Sequence, residues 1–317
     1  MAEHSMQQSF RNKWFIFSIL VMIAIIFLFR SMLPFAWSGH LIPDSHATIR
    51  FVPLAGLEAP PGFTLHGAWT IESEDPRIAG LSALAFNGDR LVTVSDFARH
   101  FSFAPPQPAG GEQEVFVRYL RRSAERPMPS WDAEAIAHAA PEEIWISTER
   151  HDALWRFEAA SGRMLEELPV AGDWPANGGI EALVEHDGDH AALALVERRR
   201  IAFVLGDNGP RRIAIRGDLG WPTGGARMAD GSVVIVSRTI GAAGFSNRIT
   251  RLRQEAAALV ATHRVDLPLG LLDNMEGIAT APLPQGATRL WLIADDNRAW
   301  YQRTLLVAYD VKADAWP

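Results

Sequence analysis

The sequence predicts an all-β fold: a β-propeller preceded by one N-terminal transmembrane helix. Three observations carry that prediction. Beyond His66, short apolar runs alternate with Gly, Asp, Asn and Pro, and no amphipathic helix stands among them. Five segments then repeat one pattern of strand, turn, strand and polar end. One strand is left over at the front and one is missing at the back, which is how a ring of blades closes and hides its sheet edge.

The N-terminus comes first. Arg11 and Lys13 precede the run Trp14 to Phe29, in which Ser18 is the one polar residue, and Arg30 ends it. A helix of that length reaches roughly 24 Å, and the partly apolar Ser31 to Trp37 extends it toward the hydrocarbon thickness. Two readings compete: an uncleaved signal anchor, and a signal peptide cleaved near Ala36-Trp37-Ser38. Arg30 directly after the run favours the anchor. Residues 1–38 then form a cytoplasmic tip and an anchor over about 14–33. Residues 39–65 read as a linker and 66–317 as the propeller. Under the anchor reading the C-terminal domain faces the periplasm from a bacterial inner membrane. Under cleavage it is free in the periplasm.

The repeats start at Gly80 ("GLSALAFNGDRLVTVSD"), Asp132 ("DAEAIAHAAPEEIWISTER"), Gly178 ("GGIEALVEHDGDHAALALVER"), Gly224 ("GGARMADGSVVIVSR") and Asn274 ("NMEGIATAPLPQGATRLWLIADD"). Aligned this way, one position carries Ser82, Glu134, Glu181, Arg227 and Glu276, at intervals of 52, 47, 46 and 49 residues. Outer strands are expected at Ala153–Glu158, Met164–Val170, Ile201–Leu205, Arg212–Arg216, Arg248–Arg253, Leu259–Val265 and Thr304–Asp310. The leftover strand, His66–Ser73, would complete the last unit. Five blades account for the chain, six would need one more unit, and a β-sandwich would not explain the recurring register.

Composition narrows the function classes. The chain has 317 residues, 48% hydrophobic, enough for a large core, with a net charge of −7. No Lys/Arg block stands out beyond the N-terminus, so nucleic acid is not an expected partner. The chain has no cysteine, which excludes disulfides, thiolate metal sites and a Cys nucleophile. A Gly-x-Ser-x-Gly elbow, an HExxH helix and a GxxxxGK[ST] loop are all absent.

In a blade, the first strand lines the channel and the second returns to the same face. The repeat position and the second-strand ends therefore meet at one mouth. Glu134, Glu181 and Glu276 would gather there, with Asp96, Glu149, Glu197 and Asp295-Asp296-Asn297 around them. Glu134, Glu181, Glu276 and Asp296 are the catalytic candidates. Carboxylates around a narrow channel repel one another, so a cation or a raised pKa must offset them. Ca²⁺ suits an all-oxygen site, with Glu276, Asp295 and Asp296 as candidate ligands. Arg227, Arg150, Arg198 and Arg303 are candidates for holding an anionic substrate, and Arg238 is a further arginine of that kind. The plainer alternative is that each Glu accepts backbone N–H bonds from the next blade and joins the two. Trp131, Trp174 and Trp221 read as packing anchors between blades.

Three stretches carry a family resemblance: Asn274-Met275-Glu276-Gly277, Leu290 to Asn297 and Gln302 to Leu306. With "DAEAIA" and "IWISTER" they resemble the phytase-like family, also called esterase-like activity of phytase, from about Gly80 to the C-terminus. The resemblance implies a propeller in exported bacterial proteins and, by name, hydrolysis of phosphate or other esters. Two function classes follow. One is a membrane-anchored, Ca²⁺-assisted ester hydrolase acting on a small anionic substrate. The other is a propeller that binds a ligand or a protein without turnover.

Overall fold

The computed structural model describes residues 43–123, 126–127, 132–149, 153–170, 179–186, 192–196, 201–206, 209–241, 244–255, 257–268, 274–297 and 302–316. The expected membrane helix lies outside these residues. Among the described residues no helix is long and apolar enough to cross a membrane. Asp44–Pro317 forms one compact unit.

That unit is all-β, with one 3₁₀ turn at Pro284–Gly286 among the described residues. It opens with β1 (Ser45–Pro53) and β2 (Phe63–Glu72). A first antiparallel meander follows: β3 (Leu81–Asn87), β4 (Arg90–Ser95), β5 (Arg99–Phe103) and β6 (Gly111–Tyr119). A short hairpin, β7 (Arg121–Ser123) with β8 (Arg126–Pro127), leads to β9 (Ala133–Ala140), β10 (Glu143–Thr148), β11 (Ala153–Glu158) and β12 (Arg163–Pro169). The third meander is β13 (Ile180–Glu185), β14 (Ala192–Val196), β15 (Ile201–Leu205) and β16 (Arg211–Arg216). The fourth is β17 (Trp221–Arg227), β18 (Val233–Gly241), β19 (Gly244–Glu255) and β20 (Ala258–Asp266). The last has β21 (Asn274–Pro282), β22 (Thr288–Asp295) and β23 (Leu305–Val311).

The first strands form a ring. β3 lies against β9, β9 against β13, β13 against β17, β17 against β21, and β21 against β3. Glycine permits the close approach. A Cβ on Gly224 would sit 2.7 Å from the Glu276 carbonyl oxygen, and one on Gly277 would sit 2.6 Å from the Leu84 nitrogen. The last meander is completed by β2, which pairs antiparallel with β23 from Phe63–Val311 to Thr70–Leu305. This is the closure that the leftover strand at His66–Ser73 foretold.

The linker expected over 39–65 is corrected by β1, which pairs with both β2 and β6 and so fastens the last meander to the first. Its sequence alternates: Ala47, Ile49 and Phe51 are buried while Thr48 and Arg50 are exposed. That is a half-buried strand of period two, obscured in the sequence by the prolines and glycines on either side. The core lies between the meanders. Leu81 and Leu84 of β3, for example, pack in one cluster with Trp291 and Ile293 of β22 and with Trp69 of β2. Each such side chain contributes about 1.5–3 kcal/mol by leaving water.

Candidate functional site: an acidic channel mouth

Each inner strand carries a β-bulge near its start. The pairing with the second strand skips Ser82, Glu134, Glu181, Thr223 and Glu276. A bulged residue is left out of the ladder and its side chain is re-aimed, here at five equivalent positions around the ring. The repeat alignment is therefore right in four meanders and wrong in the fourth. Arg227 stands four residues beyond the bulge, at the other end of β17. The paired glycines mislead. Gly224-Gly225 lie after the bulge, where β17 meets β21 and β13, whereas Gly178-Gly179 lie before theirs.

Hydroxyl groups tie neighbouring meanders together. Ser82 Oγ donates to the Ala133 carbonyl at 2.5 Å, Ser147 Oγ to Ile180 at 2.6 Å, and Thr223 Oγ1 to Met275 at 2.8 Å. Each acceptor is the residue just before Glu134, Glu181 or Glu276, so these bonds fix the backbone on which each glutamate stands. Glu276 reaches the neighbouring meander through the Arg238 side chain, not through a backbone N–H. Glu181 accepts a 3.4 Å bond from Gly179 N–H of its own strand. Glu276 accepts from the Asn274 amide and is ion-paired with Arg238. Among the described residues no hydrogen-bond donor reaches Glu134.

A second tier of polar residues sits at the second-strand ends. By register, Asp96, Glu149, Arg238 and Asp295 are equivalent. Arg238 is the exception in sign. It lies next to the Thr223 bulge, donates to Asn274 Oδ1, and pairs with Glu276. Burial opposes its charge, but Glu276, Glu181 and Glu134 outweigh burial and hold the guanidinium protonated.

Among the described residues the carboxylates here outnumber that cation. Burial, then Glu181, Asp132, Glu276 and Asp96, push Glu134 well above the usual carboxylate range. Asp295 is raised likewise, by burial and then by Glu276; it is 1% exposed and its Oδ1 has no hydrogen-bond partner. Burial raises Glu276 even against the pull of Arg238 and Asn274. Asp132, Glu134 and Glu149 each offer an oxygen, and these oxygens lie within 4.8 Å of one another. Glu149 N–H donates to the Asp132 carbonyl at 2.7 Å, which holds the two acids together. Half-buried and all-oxygen, this group has the chemistry of a Ca²⁺ site.

The remaining candidates fall elsewhere. Asp296 is a clasp: Oδ1 accepts from Gly80 N–H at 3.1 Å and Oδ2 from Thr304 Oγ1 at 3.0 Å, joining the last meander to the first. Glu276, Asp295 and Asp296 are thus occupied by a cation, by burial and by a clasp respectively. Arg303 is exposed in the segment before β23. Arg150, Arg198, Glu197, Trp131 and Trp174 lie outside the described residues. Arg227 donates to the carbonyls of Glu185 (2.8 Å) and Gly231 (3.1 Å), away from the glutamate bulges. Asp132 and Thr223 were missed. The signal for Asp132 was its place at the start of the second repeat, two residues before Glu134.

Among solved structures, the likeness to a glutaminyl cyclase supports the same fold. No curated protein matches the chain by sequence. Myxococcus xanthus glutaminyl cyclase is similar in structure at 12% identity and a TM-score of 0.50, over 80% of this chain and 99% of that one. Staphylococcus aureus virginiamycin B lyase gives 11% and 0.43, over 83% and 99%. Kuenenia stuttgartiensis hydrazine synthase gives 12% and 0.40, over 74% and 64%, so this chain spans less than two thirds of that one. Likeness at such identities concerns fold alone. A family match covers residues 76–298, and on that match the chain belongs to the phytase-like family, described as esterase-like activity of phytase.

Proposed function

We propose that the protein is a Ca²⁺-assisted hydrolase of phosphate or other esters, working at the acidic mouth of a five-bladed propeller. The observation that carries this reading is the trio Asp132, Glu134 and Glu149, whose carboxylate oxygens lie within 4.8 Å of one another, with burial and neighbouring acids pushing Glu134 well above the usual carboxylate range. Repulsion of that kind costs stability unless the site is used. Asp132, Glu134 and Glu149 would hold the ion. When bound, Ca²⁺ would neutralise an anionic substrate and polarise its ester oxygen. Glu181, on the next inner strand, accepts the proton of the attacking water. Asp295, kept protonated by its burial, returns one to the leaving oxygen. Arg238 faces the negative charge that develops on the substrate. The run Trp14–Phe29 would anchor the domain to a bacterial inner membrane, with the propeller in the periplasm; carbonate extraction of membranes tests this, since an anchored chain stays in the pellet.

Turnover of aryl phosphates and aryl carboxylic esters, with Ca²⁺ and with chelator, tests the main reading. Hydrolysis that falls at least a hundredfold on chelation and in Glu134→Gln is the expected outcome. No turnover of any ester under either condition would refute it. One observation favours the second reading, a binding propeller without catalysis. Arg238 is already engaged by Glu276 and Asn274, so an incoming anion must compete for it.

A further inference from the structure

A cavity of about 330 Å³ opens beside the fourth meander, and Arg238 forms part of its wall. The loop Asp218–Gly220 gives one side and Trp221 another. Ser237 and Thr239 of β18, Ser246 and Arg248 of β19, and Asp266 of β20 complete it. Trp221 and Arg238 are direct partners across the β17–β18 ladder, and both line the cavity. On the far side Arg248 is held between two acids, Asp266 at 2.6 Å and Asp218 at 3.5 Å. Gly220 has φ +70°, and a Cβ there would lie 3.2 Å from Ser237 Oγ. The loop is therefore drawn tightly onto the strand ends.

The wall of this cavity carries both donors and acceptors: three hydroxyls, two carboxylates, two guanidiniums and one aromatic side chain. Such walls suit a ring that carries hydroxyl groups on its edge and C–H groups on its face. The charge balance limits what else the ligand carries. Arg248 is matched by Asp218 and Asp266, and Arg238 by Glu276, with Glu134, Glu181 and Asp295 close behind it. One anionic group can compete with Glu276 for Arg238. Several cannot be accommodated against that many carboxylates.

We propose that this cavity is the selecting subsite of the mouth, taking a neutral hydroxylated ring such as a sugar that bears a single anionic ester group, and rejecting polyphosphorylated rings. The proposal rests on the hydrolase reading for its anionic group, but binding tests it apart from turnover. Calorimetric titration of the full chain with a hexose monophosphate and with inositol hexakisphosphate, both in Ca²⁺, is the direct measurement. Binding of the hexose monophosphate at least tenfold tighter is expected. Trp221→Ala should weaken it about tenfold or more and Trp221→Phe should restore most of it, with the Ca²⁺ isotherm unchanged in both. Tighter binding of the hexakisphosphate, or a hexose monophosphate isotherm indifferent to Trp221→Ala, would overturn the subsite. Hexose monophosphate bound but never hydrolysed keeps the subsite and removes the hydrolase. Aryl phosphates hydrolysed while hexose monophosphates fail to bind does the reverse.

Discussion

Two rings of side chains stand on the same five strands, four residues apart. At the bulges the ring reads Ser82, Glu134, Glu181, Thr223 and Glu276. Roughly 13 Å along each strand it reads Phe86, His138, Glu185, Arg227 and Thr280. These five line a cavity of about 60 Å³ at the other end of the channel. In the second ring Arg227 donates to two carbonyls while its Nη2 is buried without a partner, and Thr280 Oγ1 donates to the Arg227 carbonyl at 2.5 Å. In the first ring, among the described residues, three acids face one arginine. Fold geometry is common to both, so the difference in charge is what points to the first ring as the proposed site.

The largest expected difference between the ends concerns their arginines. Arg238→Met removes the partner of a buried Glu276 and should cost about 3–5 kcal/mol in urea unfolding. Arg227→Met leaves two carbonyls short of a donor and should cost about 1–2 kcal/mol. Pairing Arg238→Met with Glu276→Leu should recover most of the loss, because both charges then leave the interior. Equal costs for the two single variants would erase the distinction between the rings.

Next comes the response to pH and Ca²⁺. Glu134 and Asp295 have folded-state pKa values raised above their unfolded ones. Their contribution to stability is complete below the unfolded values, near 4, and is lost as pH rises through the raised values. Without Ca²⁺ the melting temperature should therefore fall as pH rises above the ordinary carboxylate range. Ca²⁺ binds the ionised form, so saturating Ca²⁺ should flatten or reverse that fall. Glu134→Gln should flatten it as well and should abolish the response to Ca²⁺. Asp75 provides a control of opposite sign. Its hydrogen bond to Arg77 lowers its pKa, so its contribution is lost on acidification instead. A melting temperature indifferent to pH and Ca²⁺ would mean that the crowded acids are not strained.

Much of this was legible in the sequence because blades repeat. Glu134, Glu181 and Glu276 could be aligned, and the strands Ala153–Glu158 and Ile201–Leu205 fall where the apolar runs place them. The closing role of β2 followed from a count of strands. What escaped has physical reasons. A bulge is a pairing irregularity with no residue signature of its own, so in the fourth unit Gly224-Gly225 drew the alignment to Arg227 and away from Thr223. Arg238 was visible as an arginine, but its place among the acids depends on which strands are neighbours in the ring. Asp296 resembled a ligand by composition, and only the closure of the last meander onto the first turns it into a clasp.

The smallest predicted effect is also the sharpest for the register. If Thr223 occupies the bulge position of the fourth meander, its hydroxyl is a tie to β21 just before Glu276, as Ser82 is to β9 just before Glu134. Thr223→Val keeps the shape and the β-branch but leaves the Met275 carbonyl without that donor, at a cost of about 1 kcal/mol. Thr280→Val removes a hydroxyl bond of the same kind at the other ring. Both variants should lose similar stability. Only Thr223→Val should alter catalysis or Ca²⁺ affinity, because only its bond carries the backbone under Glu276. Similar unfolding midpoints with activity reduced in Thr223→Val alone would separate what holds the ring from what the ring holds in place. Equal activity in the two would make the bulge hydroxyls fasteners and nothing more.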